Sequence, residues 1–253
     1  MDCRLKRHKW IAVGGVKPAS WSMQVEIRPK LVIFDCDGVL VDSEIIVSTA
    51  EAAEITRVGH RISVEEAVEQ FAGVPASDMY RLIEGQLGTP LPADLSARID
   101  ARVRELYLSD LAAIAGARET IRKLKVPCCV ASSSEPNRLG LALAKTELLE
   151  LFYPHFFSTV LVGNGKPAPD IFLYAAEKMG VSPADCVVVE DSVVGVTAAI
   201  AAGMIALGFV GGSHCGPSHA ARLKEAGAKR IFNRFEDLCI LLEELSSDAV
   251  GAA

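Results

Sequence analysis

Two short apolar runs constrain this chain more than any other feature: LVIFD at 31–35 and CVVVED at 186–191, each ending in acidic residues. An unbroken apolar run of this length reads as a strand buried on both faces. Such strands belong to parallel sheets that helices cover. Helical and strand-like stretches alternate over much of the remaining chain. A helix around Ala117–Leu124 precedes the strand VPCCVA (126–131). Ser134 and Pro136 then start a helix with proline near its first turn, and a short apolar segment covers 157–162. Asp170 is placed to cap the helix IFLYAAEKM, which Gly180 ends. A helix over 193–202 follows CVVVED, and MIALGF and AKRIF read as two further strands.

The stretch 47–110 breaks this alternation. Ser63 and Glu66 have capping-box spacing ahead of Ala67, Val68 and Phe71, and Gly73 ends that helix. Met79, Leu82, Ile83 and Leu87 repeat at helical spacing, as do Leu95, Ile99, Val103 and Leu106 after Pro92. Nothing there reads as a strand. The chain therefore divides into an α/β core over 31–46 and 111–253 and a helical insert over 47–110. The core is expected to be a doubly wound, Rossmann-like parallel sheet with right-handed crossovers.

Residues 1–30 differ in charge. They hold seven Lys and Arg against two acids, so with a net charge of -6 the other 223 residues carry -11. WIAVGGV is too short for a signal-peptide core, which leaves a disordered extension, an upstream start with Met23 the natural first residue, or a binding arm. No apolar run approaches the roughly 20 residues that span a bilayer. The acidic balance argues against nucleic acid as the partner. Seven scattered cysteines with no CxxC pair imply reduced thiols and a cytoplasmic protein, not a disulfide frame or zinc site. A monomer and a dimer fit equally.

In an open α/β sheet, ligands sit outside the carboxyl ends of the strands. The polar residues at those ends are Asp35, Asp37, Ser132, Glu190 and Asp191, with Lys166 on a loop. Four carboxylates meeting at one sheet edge repel each other unless a cation joins them, and an all-oxygen set favours hard Mg²⁺. Asp42, Ser43 and Asp170 read as caps and turn formers. His8, His60, His155, His214 and His219 show no ligand spacing, and FVGGSH reads as a loop rather than a cofactor cradle.

DCDGVLVDSE, ASSS, GKPAPD and VVVEDSVVG, in that order, resemble the four motifs of the haloacid dehalogenase superfamily, in the subgroup with a helical cap after the first motif. The similarity covers about residues 31–245. It implies Asp35 as nucleophile toward phosphorus and Asp37 as general acid and base. Ser132 and the backbone near Ser133 would hold phosphoryl oxygens, and Lys166 would balance charge. Mg²⁺ would be held by the carboxylates of Asp35 and Asp191 and the backbone carbonyl of Asp37, with Glu190 direct or through water. Gly73, Val74 and Ala76 would face the substrate from the cap.

Asp37 argues against the dehalogenase and phosphonatase branches, which lack it at that position. The β-phosphoglucomutase branch carries a histidine where this chain has Val47 and an arginine where it has Ala76. The resemblance therefore implies hydrolysis of a small phosphorylated metabolite, a sugar or sugar-acid monophosphate, with 6-phosphogluconate the first to try. The rest of the substrate would be held by neutral hydrogen bonds and packing in the cap. Rival readings are a phosphomutase and a non-catalytic binding protein on the same fold.

Overall fold

The computed structural model describes residues 29–71, 74 and 76–247. Most of the basic extension, with Cys3 and Met23, lies outside them, as does Gly73. Of the extension, Lys30 is described: its Nζ lies 2.9 Å from Asp185 Oδ2.

The chain runs β1 (Leu31–Phe34), α1 (Glu44–Arg57), α2 (Val64–Phe71), α3 (Ala76–Leu87), α4 (Leu95–Asp110), α5 (Ala117–Ile121), β2 (Cys128–Ser132), α6 (Pro136–Lys145), α7 (Leu149–Phe152) and β3 (Phe156–Ser158). It continues through α8 (Asp170–Met179), β4 (Cys186–Glu190), α9 (Val193–Ala201), β5 (Ile205–Phe209), α10 (His219–Glu225), β6 (Arg230–Phe232) and α11 (Leu238–Ser247). The six strands form one sheet in the order β3-β2-β1-β4-β5-β6, and every pairing is parallel. This is the doubly wound arrangement expected from the alternation.

Period-two alternation assigns each strand residue to a layer. Val32, Phe34, Val130, Val187, Val189 and Leu207 pack on one side with Leu139 and Leu143 of α6, Phe152 of α7 and Leu245 of α11. Leu31, Ile33, Cys129, Ala131 and Val188 face the other side, against Ile171, Phe172 and Ala175 of α8 and Val196 of α9. Burying each large aliphatic or aromatic side chain contributes roughly 1.5–3 kcal/mol. A sheet covered on both faces leaves only its ends for chemistry.

The topology selects which end. From β1 the chain winds outward through β2 and β3, then returns to β4 on the opposite side of β1. The crevice at such a switch point opens at the strands' carboxyl ends. Phe34 is paired with Val189, one residue before Asp35 and Glu190, and the Asp35 N–H donates to the Val189 carbonyl at 3.0 Å. Two acidic motifs 155 positions apart in sequence are thereby set side by side.

Several local expectations shift. Of the apolar segment 157–162 only 157 and 158 are strand, as the end of β3. The Ser158 side chain then accepts from Val160 N at 3.3 Å and turns the chain into a short 3₁₀ helix. Asp170 opens α8 from inside and does not cap it. Its Oδ1 reaches back to Asn164 N at 3.2 Å and Nδ2 at 3.0 Å, fixing the loop that carries Lys166. The Ser63–Glu66 box is present in both directions, at 3.1 and 2.8 Å.

Among the described residues four helices come between β1 and α5. Ala52 and Ile55 of α1, Ala67 and Phe71 of α2, and Met79 and Ile83 of α3 share a small apolar cluster. Leu82 is exposed instead of buried. In α4 the buried row is Leu95, Ile99, Val103 and Tyr107, because the four-residue step continues past Val103; Leu106 is only partly buried. That step directs the Tyr107 hydroxyl at the carboxyl ends of the strands.

Candidate active site

Carboxylate oxygens of Asp35, Glu190 and Asp191 all lie within 4.8 Å of one another, and all three residues are buried. Lys166 enters this cluster from the loop before α8. Its Nζ is 2.6 Å from Asp35 Oδ1, 2.7 Å from Glu190 Oε1 and 3.1 Å from the Ala131 carbonyl. The other oxygen of Glu190 accepts from Ser192 N at 2.8 Å and Ser192 Oγ at 2.9 Å. Glu190 thus has both oxygens engaged, one holding Lys166 and the other the start of α9. Its carboxylate fits because residue 195 is glycine: a Cβ there would lie 1.7 Å from Glu190 Oε1.

Burial pushes Asp35 well above the usual carboxylate range, Lys166 pulls it down, and Glu190 and Asp191 add to the rise. Asp191 is raised in the same way, by burial first and then by Glu190. For Lys166 burial works against the charge, but Asp35 and Glu190 outweigh it and raise its pKa. One ammonium cannot neutralise three carboxylates. The donor set is all oxygen, buried and over-charged, and it fits a hard divalent cation.

Asp37 stands apart from that cluster. The chain turns sharply after it, with Gly38 at φ +76°, where a Cβ would lie 1.9 Å from Asp191 Oδ2. Three hydroxyls from three elements donate to its carboxylate: Ser43 at 2.7 Å, Tyr107 at 3.1 Å and Ser134 at 2.6 Å. Burial opposes its charge, yet the Arg138 guanidinium and these hydroxyls hold Asp37 below the usual range. The Ser43 hydroxyl therefore does not cap α1, against the expectation from sequence. It turns to Asp37 instead.

Ser132 and Ser133 end β2 at the same edge. The Ser132 oxygen accepts from Ser134 N at 2.9 Å, while Ser133 is exposed. Val74, between α2 and α3, and Ala76, the first residue of α3, are exposed, and among the described residues no hydrogen bond or ion pair joins them to the carboxylates. Val47 is partly buried against the core.

The histidine reading needs correction. His214 Nε2 lies 3.1 Å from Asp191 Oδ2, with both side chains buried, and His219 Nε2 lies 2.5 Å from the Asp191 backbone oxygen. Burial lowers the His214 pKa against the pull of Glu44 and Asp42, so the imidazole is neutral at pH 7 and donates through Nε2–H. Asp42 anchors this loop by accepting from Ser213 N at 3.0 Å and Oγ at 2.8 Å. The available signal was position: GGSHCGPSH follows β5, at the same edge as Asp35 and Asp191. Sequential ligand spacing does not detect it.

Two carboxylates in unlike settings thus lie at one edge: Asp35 against Lys166 in an acidic cluster, and Asp37 held by hydroxyls. Such a pair suits transfer of an oxyanionic group, where positioning and charge neutralisation do most of the work. Among the described residues no helix is long and apolar enough to cross a membrane.

Comparison with known proteins agrees. The model of the haloacid dehalogenase-like hydrolase family matches residues 29–203. The 6-phosphogluconate phosphatase of Escherichia coli K12 is 32% identical over 75% of this chain and 86% of its own length. The phosphorylated carbohydrates phosphatase of Thermotoga maritima is 30% identical over 85% of this chain and 99% of that protein. A crystal structure of a conserved haloacid dehalogenase-like protein of unknown function from Agrobacterium tumefaciens C58 superposes with a TM-score of 0.79. It is 42% identical and covers 86% of this chain and 99% of that one.

Proposed function

The chain belongs to the haloacid dehalogenase-like hydrolase family and is a phosphatase, and we propose that it hydrolyses a sugar or sugar-acid monophosphate through an aspartyl-phosphate at Asp35. The observation that carries this reading is the separation of two aspartates two residues apart into unlike settings, Asp35 on Lys166 and Asp37 on three hydroxyls.

The Asp35 carboxylate attacks phosphorus, an Asp35 O–P bond forms and the ester P–O bond breaks. Asp37 gives its proton to the leaving alkoxide. It then takes a proton from the water that attacks the aspartyl-phosphate, which releases inorganic phosphate and restores Asp35. In the free protein Asp37 is ionised. A phosphate dianion bound beside it disfavours that charge, so Asp37 gains its proton as substrate binds. Lys166 offsets charge on Asp35 and the phosphoryl group. The hydroxyl and backbone N–H groups of Ser132 and Ser133 orient the phosphoryl oxygens.

Asp35 and Asp191, with the Asp37 carbonyl, would hold Mg²⁺. Glu190, with both oxygens engaged, would act on it through water. Bound there, Mg²⁺ supplies positive charge that lets Asp35 ionise and that offsets charge on the phosphoryl oxygens. Helices α1–α4 act as the cap, closing over the crevice and excluding water. A reducing, cytoplasmic setting suits the free thiols of the described cysteines.

Purified protein should release phosphate from p-nitrophenyl phosphate and from sugar phosphates only with Mg²⁺. A sugar bisphosphate should not stimulate turnover of β-glucose 1-phosphate. Glucose 6-phosphate accumulating faster than inorganic phosphate would make the chain a mutase. Turnover undiminished in excess chelator would remove the cation from the account.

His214 orients Asp191 toward that cation by donating to one carboxylate oxygen. Removing such an outer partner typically weakens metal binding 10–100-fold. His214→Ala is expected to lower Mg²⁺ affinity by about tenfold or more in a calorimetric titration, with the fold retained. Affinity within a factor of two of wild type would show that the imidazole only packs.

A further inference from the structure

Arg138 lies in the first turn of α6, just beyond the serine loop that ends β2. Its Nε is sealed from solvent and makes no hydrogen bond, and among the described residues no carboxylate comes within 4.0 Å of the guanidinium. Helix α6 packs against α4. The groups whose charge bears on Arg138 are Asp37, Tyr107 and Asp100 of α4, and Glu44 of α1, and Arg138 in turn acts on Glu51 of α1. The charge of Arg138 therefore bears on α1 and α4 as well as on the Asp37 side of the site, where α6 meets α4. If Asp37 protonates the leaving oxygen, the body of the substrate extends on this side.

Of its three guanidinium nitrogens Nε is the sealed one, and a sealed N–H without an acceptor is costly and rarely left unmet. Nearby carboxyls do not supply the acceptor. Burial, and then the charges of Asp191 and Asp37, raise Glu44 to about 8, and burial raises Glu51 to about 7, so neither is held as a firm anion at neutral pH.

We propose that Arg138 is the subsite for a carboxylate at the far end of the substrate, so that the substrate is a sugar-acid monophosphate rather than a sugar or sugar-alcohol monophosphate. This rests on the phosphatase reading and narrows it. It also replaces the expectation that only neutral groups hold the rest of the molecule. A planar guanidinium matches a carboxylate with two parallel N–H donors. A neutral hydroxyl leaves the charge uncompensated. A second phosphate would bring a dianion to one guanidinium beside Asp37 and Asp100.

The test uses 6-phosphogluconate and sorbitol 6-phosphate, which differ only in a carboxylate or a hydroxymethyl group at the far end. Wild-type kcat/KM should favour the sugar acid by at least about tenfold, and Arg138→Gln should abolish the preference, chiefly through KM. Arg138→Lys, which keeps charge without the fork, should retain an intermediate preference and stands in if the glutamine variant does not fold. The proposal is overturned if wild type shows no preference. It is overturned equally if Arg138→Gln lowers kcat/KM for both esters by the same factor, since Arg138 would then act only through Asp37. Mg²⁺-dependent turnover of p-nitrophenyl phosphate by wild type reports on the phosphatase reading separately.

Discussion

Asp35→Asn is expected to lower kcat by about 10⁴-fold or more, because removing a covalent nucleophile leaves only binding and electrostatic stabilisation of the transition state. The amide is nearly isosteric, so the change removes the reacting oxygen's charge and little else. Stability should not fall with it. The folded-state pKa of Asp35 is raised above its ordinary value, so its ionisation destabilises the fold as pH rises above the ordinary carboxylate range when no cation is present. In Mg²⁺-free buffer at neutral pH the variant should melt at or above the wild-type temperature. Residual kcat of more than a few per cent, in a folded variant, would take the nucleophile role from Asp35.

Asp37→Asn is expected to lower kcat by about 10²–10⁴-fold, the usual loss of a positioned proton donor and acceptor. The loss has a signature that depends on the leaving group. p-Nitrophenolate leaves without a proton, so the first step survives with that ester while hydrolysis of the aspartyl-phosphate is slowed. A burst of p-nitrophenolate approaching one per active site, followed by slow release, is the expected trace. With a sugar ester, whose alkoxide needs the proton, no burst should form. If instead Mg²⁺ affinity collapsed while turnover at saturating Mg²⁺ stayed normal, Asp37 would be a metal-site residue and not the acid and base.

The fold and half of the site were legible because they depend on local pattern. Unbroken runs such as LVIF and CVVVE have few alternatives to central parallel strands, and the acids that follow them must emerge at one edge. The residues that support Asp37 were not legible, because they come from separate elements and are ordinary in isolation. Ser43 looks like a helix cap, Ser134 like a helix start and Tyr107 like part of an apolar stripe; only the folded chain shows their hydroxyls meeting on one carboxylate. His214 was missed for a related reason, since its partner Asp191 is 23 residues earlier and joined to it by sheet topology. Arg138 belongs to no motif read from the sequence, and the charges that bear on it come from α1 and α4, far away in the chain.

The central claim is that phosphorus is transferred twice, first to Asp35 and then to water. Stereochemistry at phosphorus tests it most directly. A phosphorothioate ester made chiral with sulfur and two oxygen isotopes is hydrolysed in water of the third isotope, and the configuration of the released thiophosphate is read. Two in-line displacements predict overall retention. Inversion would mean a single direct attack by water, and the account of Asp35 as nucleophile would be wrong.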